Sequence, residues 1–198
     1  MGPDVGVSHP GIFGAAMTCG VNDSSTGRGS LQDFLDENCL RCSPCRTEDP
    51  SVPVVTVPLL PGWTQLAPEF FPGAWLVLTA PGAGSETFTP NAVVLHGELS
   101  NRAVVDDLLE AARKSSTLLP EWREEEVSFA DFQGRRSLFV SGSFAVGDSV
   151  FAATSRFVVV DRCGRHYLTQ LTVTTFADTS EALATDVMVL NSALDIQV

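Results

Sequence analysis

Cysteine thiols are the most reactive side chains in this 198-residue sequence, and three of the five stand close together. Cys39, Cys42 and Cys45 recur at every third position of ENCLRCSPC. Thiols so spaced can ligate a metal, form a redox pair or supply halves of disulfides. A structural zinc site takes four ligands, commonly as two separated pairs. No histidine stands near these three in sequence, since His9 precedes them by a long linker and His96 and His166 lie far downstream. An iron–sulfur cluster also needs a fourth cysteine and often a proline after the last one, where this chain has Arg46. Cys163 completes a set only if its segment folds back onto the loop. A redox dithiol belongs at the start of a helix that follows a strand. Here a helical stretch precedes the thiols, so the favoured reading is a connector that carries cysteines, with no metal and no cofactor. A thiol or metal-binding role for Cys39, Cys42 and Cys45, in a cytoplasmic protein, is the alternative.

The other chemistry-bearing residues are weaker candidates. His96 sits in one strand-like run and His166 opens another, neither with a carboxylate or cysteine at metal-ligand spacing. Both read as hydrogen-bonded structural residues. VSGSF (140–144) holds two serines but lacks a strand-to-helix elbow. GAGSET (82–87) lacks the Gly-Lys-Ser/Thr ending of a phosphate loop. EWREEE (121–126) reads as a solvated edge, and Trp63, Phe70, Phe71 and Trp75 as core aromatics. No catalytic residue emerges, and the expectation is a protein that is not an enzyme.

The charge balance narrows the partners. A formal net charge of −12 repels phosphate backbones and anionic headgroups, which excludes nucleic acid as an expected partner. No stretch reaches the roughly 18 continuous apolar residues of a membrane-spanning helix.

Patterning supplies the elements that must carry these residues. SLQDFLDE (30–37) is a short helix, with Ser30 as N-cap and Asp33 three residues on. Residues 101–120 hold the strongest helical period, closed by Pro120, and 179–194 form a terminal helix with Thr179 as its cap. Strands are expected over 54–58, 74–80, 91–99, 127–132, 136–147, 149–161 and 165–177, with hairpin turns at Gly147-Asp148 and at Arg162-Cys163-Gly164. Mixed parity among Leu168, Leu171, Val173 and Thr175 suggests a bulge in the last strand. The sum is an α+β fold, an antiparallel sheet covered by two main helices, over residues 30–198. Residues 1–29 read as a flexible leader, in which GIFGAAMTC (11–19) has the shape of the end of a lipoprotein signal with Cys19 as the lipidation candidate. No Lys or Arg precedes that run, so the signal reads as incomplete.

Several motifs taken together resemble one family. SLQDFLDE, then DPSVPVVTVPLLPGW (49–63), NAVVLHGELS (91–100), LLP (118–120), DFQGRRS (131–137) and RHYLTQLTVTT (165–175) are similar to the LpqN/LpqT family of actinobacterial, chiefly mycobacterial, envelope lipoproteins and secreted relatives. The resemblance covers about residues 30–195 and departs at CLRCSPC, where relatives have a plain loop. It implies a PsbP-like α/β sandwich, a place in the cell envelope or outside the cell, and a non-enzymatic binding or accessory role. The partner it implies is an apolar lipid of the mycolate type or an envelope transporter. An exported chain with Cys19 lipidated would leave Cys39, Cys42, Cys45 and Cys163 as disulfide candidates, an even number, with one bridge expected from the loop to Cys163 and the other two cysteines paired locally.

Overall fold

The computed structural model describes residues 29–198, so Cys19, His9 and the leader lie outside the described residues. Helix α1 (Leu31–Glu37) starts as its sequence requires: the Ser30 hydroxyl accepts from the Asp33 N–H at 3.0 Å, and the Asp33 carboxylate accepts from the Ser30 N–H at 2.9 Å. The two bonds satisfy two otherwise orphaned donors. Short strands β1 (Cys42–Pro44), β2 (Val54–Thr56), β3 (Thr64–Gln65) and β4 (Leu76–Thr79) follow. Then come β5 (Asn91–Leu99), α2 (Val105–Ser116), β6 (Arg123–Ser128), β7 (Ser137–Val146), β8 (Ser149–Arg162), β9 (Arg165–Phe176), α3 (Ser180–Ser192) and β10 (Asp195–Gln197).

The main sheet runs β3-β4-β5-β9-β8-β7-β6, with β1 added beside β5, and every pairing in it is antiparallel. Strands β2 and β10 form a separate two-stranded ribbon. Consecutive side chains of a strand point to opposite faces, and β8 sorts the core accordingly. Phe157 and Val159 pack with Leu31, Leu35, Leu108 and Leu109 of α1 and α2, whereas Val158 and Val160 pack with Leu190 and Leu194 at the α3 side. The two long helices therefore cover opposite faces, making a three-layer α+β sandwich. A third cluster, Phe88, Phe144, Phe151 and Ala153, closes the far end.

Three expectations need correction. Strand β9 has no bulge: it pairs with β8 without a slip from Phe151↔Phe176 to Arg162↔Arg165. Its parity is lost because it is central and nearly every side chain on both of its faces is buried. The bulge falls instead in β6, between Glu124 and Glu126. Thr179 occupies the N-cap position of α3 but makes no side-chain capping bond, since its hydroxyl donates back to the Phe176 carbonyl at 3.4 Å. Helix α2 begins four residues later than its period suggests, at Val105. The EWREEE run does lie at an edge: β6 ends the sheet, and residues 123–126 are exposed, a charged border that discourages edge-to-edge pairing. The Cys163-Gly164 turn has φ of 51° and 78°, the two positive values that a tight hairpin turn of this hand requires. No helix among the described residues is long and apolar enough to cross a membrane.

Candidate functional site

The cysteines do not converge. Strand β1 places Cys42 opposite Leu99, where it packs on the α2-side core, while Cys45 packs on the α3-side core and donates its N–H to the His96 carbonyl at 2.9 Å. Extended chain separates these two residues by about 10 Å, past the roughly 7 Å limit for a disulfide between them. A Cβ at Gly97 would fall 2.5 Å from Cys42 Sγ, so glycine is what lets β1 seat against β5. Cys39 and Cys163 are exposed free thiols, each in a left-handed backbone conformation. Among the described residues no group of three or more His, Cys, Asp or Glu is arranged to hold a metal ion.

The histidines serve packing. His96 is buried, its ring stacked on Tyr167 (5.6 Å, 19°) and edge-on to Trp75 (5.1 Å, 81°), with Nδ1 2.9 Å from the Thr169 hydroxyl. Burial lowers its pKa to about 4, against a weaker opposing influence of the Pro53 carbonyl, so the ring is neutral at pH 7. His166 lies at the sheet end with Nε2 3.0 Å from an Asp161 carboxylate oxygen, though neither ring nitrogen makes a well-aligned hydrogen bond. Trp63 and Trp75 donate to the Asp186 carboxylate (2.9 Å) and to the Val55 carbonyl (2.7 Å), which ties the 55–63 segment to α3 and to the sheet. Phe70 departs from the core-aromatic expectation and is 73% exposed. In the GAGSET segment the Ser85 hydroxyl accepts from the Thr87 and Phe88 N–H groups, a local turn.

What the tertiary structure assembles, and the motifs did not announce, is an open strip on the α3 side of β7 and β8. On the opposite side these strands are closed, because Leu138, Val140 and Phe144 are buried and the missing side chain of Gly142 makes room for the Trp122 ring. On the α3 side, Phe139, Ser141, Ser143 and Ala145 of β7 lie beside Arg156, Thr154, Ala152 and Val150 of β8, each pair in direct register. None of these eight is fully buried. The strip is bordered by Arg123, Glu126 and Ser128 of β6, which are in register with Ser143, Ser141 and Phe139. The segment joining β9 to α3 reaches its far end, where the Ala177 N–H donates to the Val150 carbonyl at 2.9 Å.

Arg156 sits at the near end. Its guanidinium carbon lies 4.3 Å from the Phe132 ring centre and 5.0 Å from that of Phe139. Phe132 is held by the DFQGRRS turn, in which Gln133 and Gly134 have φ of 53° and 73°. Side chains of that turn donate to the C-terminal segment, Gln133 to the Leu194 carbonyl at 2.9 Å and Arg135 to the Ile196 carbonyl at 3.0 Å. The Nε of Arg156 is buried with no hydrogen-bond partner. Burial lowers the pKa of this guanidinium, and the nearby charge of Glu126 only partly opposes that. In the sequence, the one signal was a single cation inside the otherwise uncharged run 149–160.

Comparison with known proteins places this architecture. Residues 27–197 match the family model described as probable lipoprotein LpqN. The proline-rich 28 kDa antigens of Mycobacterium tuberculosis and Mycobacterium bovis are 26% identical over 147 residues, which is 74% of this chain and 47% of each relative. The chain thus spans about half the length of the curated relatives it matches. A crystal structure of LpqN, involved in cell envelope biogenesis of Mycobacterium tuberculosis, superposes with a TM-score of 0.77 at 18% identity, covering 85% of this chain and 98% of that one. At that identity the likeness establishes a shared fold. With the family model spanning nearly all of the described residues, this chain belongs to the LpqN lipoprotein family.

Proposed function

We propose that this protein is a non-enzymatic module of the cell envelope that binds an apolar lipid on the open strip between α3 and β6. The carrying observation is the asymmetry of β7 and β8, whose side chains are buried on one face and left partly uncovered on the other. Uncovered sheet of this kind beside a helix is a place where an apolar chain can displace water with little rearrangement. The family membership and the envelope role stated for the mycobacterial LpqN support the cellular setting. A non-enzymatic role is supported by the way His96 is held neutral in an aromatic core. The divergent placement of Cys42 and Cys45 weighs against the thiol or metal alternative.

The test is displacement of an apolar fluorescent probe by hexadecanol, a neutral long-chain ligand. Binding to the native protein, lost in Ala152→Trp with the melting temperature retained, is the expected result. No saturable binding of the probe or of hexadecanol, or equal binding in Ala152→Trp, would overturn the reading.

A further inference from the structure

We infer that Arg156 is the receptor for the carboxylate of a long-chain, fatty-acid-type amphiphile whose chain runs along β8 toward Val150. The inference rests on the apolar-ligand reading above and specifies the head of that ligand.

A guanidinium presents five donors in a rigid fork that matches a carboxylate with two parallel hydrogen bonds. Half-buried cations in folded proteins are ordinarily hydrogen-bonded, because the desolvation cost is otherwise uncompensated. Here the other strand arginines with a partner find one readily: Arg165 engages Glu98 through two nitrogens, and Arg162 reaches the carbonyls of Val52 and Pro50. The Arg156 side chain makes no hydrogen bond or ion pair among the described residues, and its Nε is orphaned. What holds it is the pair of phenylalanine rings, which lie against the guanidinium without using its donors. A cation held by aromatic rings and left with open donors is prepared for an anion brought from outside.

The surroundings specify the rest of the ligand. Next to Arg156 on the same face, the hydroxyls of Thr154 and Ser141 are in direct register with one another and make no hydrogen bond among the described residues, so they stand ready to donate to the second carboxylate oxygen. Farther along, the β8 side of the strip loses polarity through Ala152, which faces Ser143 of β7, to Val150, which is 50% exposed with Ala145 beside it. From Arg156 to Val150 the strand spans about 20 Å, the reach of an extended acyl chain rather than of a small free acid. The net charge of −12 argues against a polyanionic ligand, and Glu126 beside Ser141 restricts the head to a single negative charge.

The test compares palmitate, hexadecanol and acetate on the full chain by isothermal titration at low ionic strength. Palmitate is expected to bind at least about tenfold tighter than hexadecanol, a typical gain for a charge-assisted pair, and acetate to bind far more weakly than either. Arg156→Met should erase the preference for palmitate, read as the ratio of its affinity to that of hexadecanol, whereas Glu126→Gln should raise that ratio. If Arg156→Met does not fold, as read by its melting curve, Arg156→Lys takes its place, with a reduced palmitate preference expected from loss of the fork. Equal affinity of palmitate and hexadecanol in the native protein, or a preference that survives both Arg156 variants, would overturn the carboxylate receptor while leaving the apolar strip standing. Tight acetate binding would make the site one for small anions and also overturn it. Failure of both palmitate and hexadecanol to bind would remove the strip and the receptor together.

Discussion

Acidification offers a sharp test of how the buried His96 is accommodated. The ring is 2% exposed between Tyr167 and Trp75, and its pKa falls from 6.5 to about 4 on folding. Between those values the unfolded chain binds a proton that the folded chain refuses, so stability falls as pH drops through the window and is flat above it. At pH 4.5 the unfolded histidine is almost fully charged and the folded one mostly neutral, which amounts to about 2.5 kcal/mol lost relative to pH 7. Urea denaturation at pH 7 and pH 4.5 measures the loss, and His96→Gln, which cannot titrate, supplies the reference. Carboxylates and the other two histidines contribute alike to both proteins, so the difference between their pH dependences isolates His96. A wild-type loss no larger than that of His96→Gln would refute the reasoning. So would an imidazole proton resonance assigned to His96 that titrates near its ordinary value.

Further outcomes follow from the packing. Leu108→Ala, at a fully buried position between α2 and the sheet, should destabilise by about 2–5 kcal/mol in urea titration. Gly97→Ala should cost about 1–3 kcal/mol because the new methyl meets Cys42 Sγ and the Ser43 carbonyl. Cys42→Ala in that background should restore part of the loss, and a double-mutant cycle with zero coupling would dismiss the contact. In thiol labelling of the native reduced protein, Cys39 and Cys163 should react quickly and Cys42 and Cys45 slowly, with mass spectrometry identifying the modified sites. Uniform reactivity across the four would show that β1 does not hold the packed position described.

Much of the architecture was legible because its signals are local. The Ser30 and Asp33 capping box lies within four residues, the 91–99 strand is marked by its run of Val and Leu, and the Cys163-Gly164 turn needs only backbone compatible with positive φ. The extents of β7, β8 and β9 and the presence of α2 and α3 were readable from periodicity for the same reason. Short strands such as β1, β3 and β10 were not, since two or three residues carry no measurable period and acquire strand geometry only from a partner far away in sequence. The mixed parity of β9 was visible, but its cause was not: a central strand buried on both faces mimics a bulged one.

Chemistry was less legible than fold. The third-residue spacing of Cys39, Cys42 and Cys45 suggests convergence only if the chain coils, and strand pairing with β5 extends it, sending Cys42 and Cys45 to opposite faces. Arg156 attracted no notice, because its character comes from Phe132 and Phe139, one supplied by a distant turn and the other by the neighbouring strand. By itself, the amino-acid sequence determined the α+β class, the helix and hairpin positions, the acidic surface and the family motifs, all properties of composition or of short-range pattern. The tertiary structure alone decided strand order, which face each side chain occupies, and which charge is left unmatched, because those depend on pairings between residues that the chain brings together only when it folds.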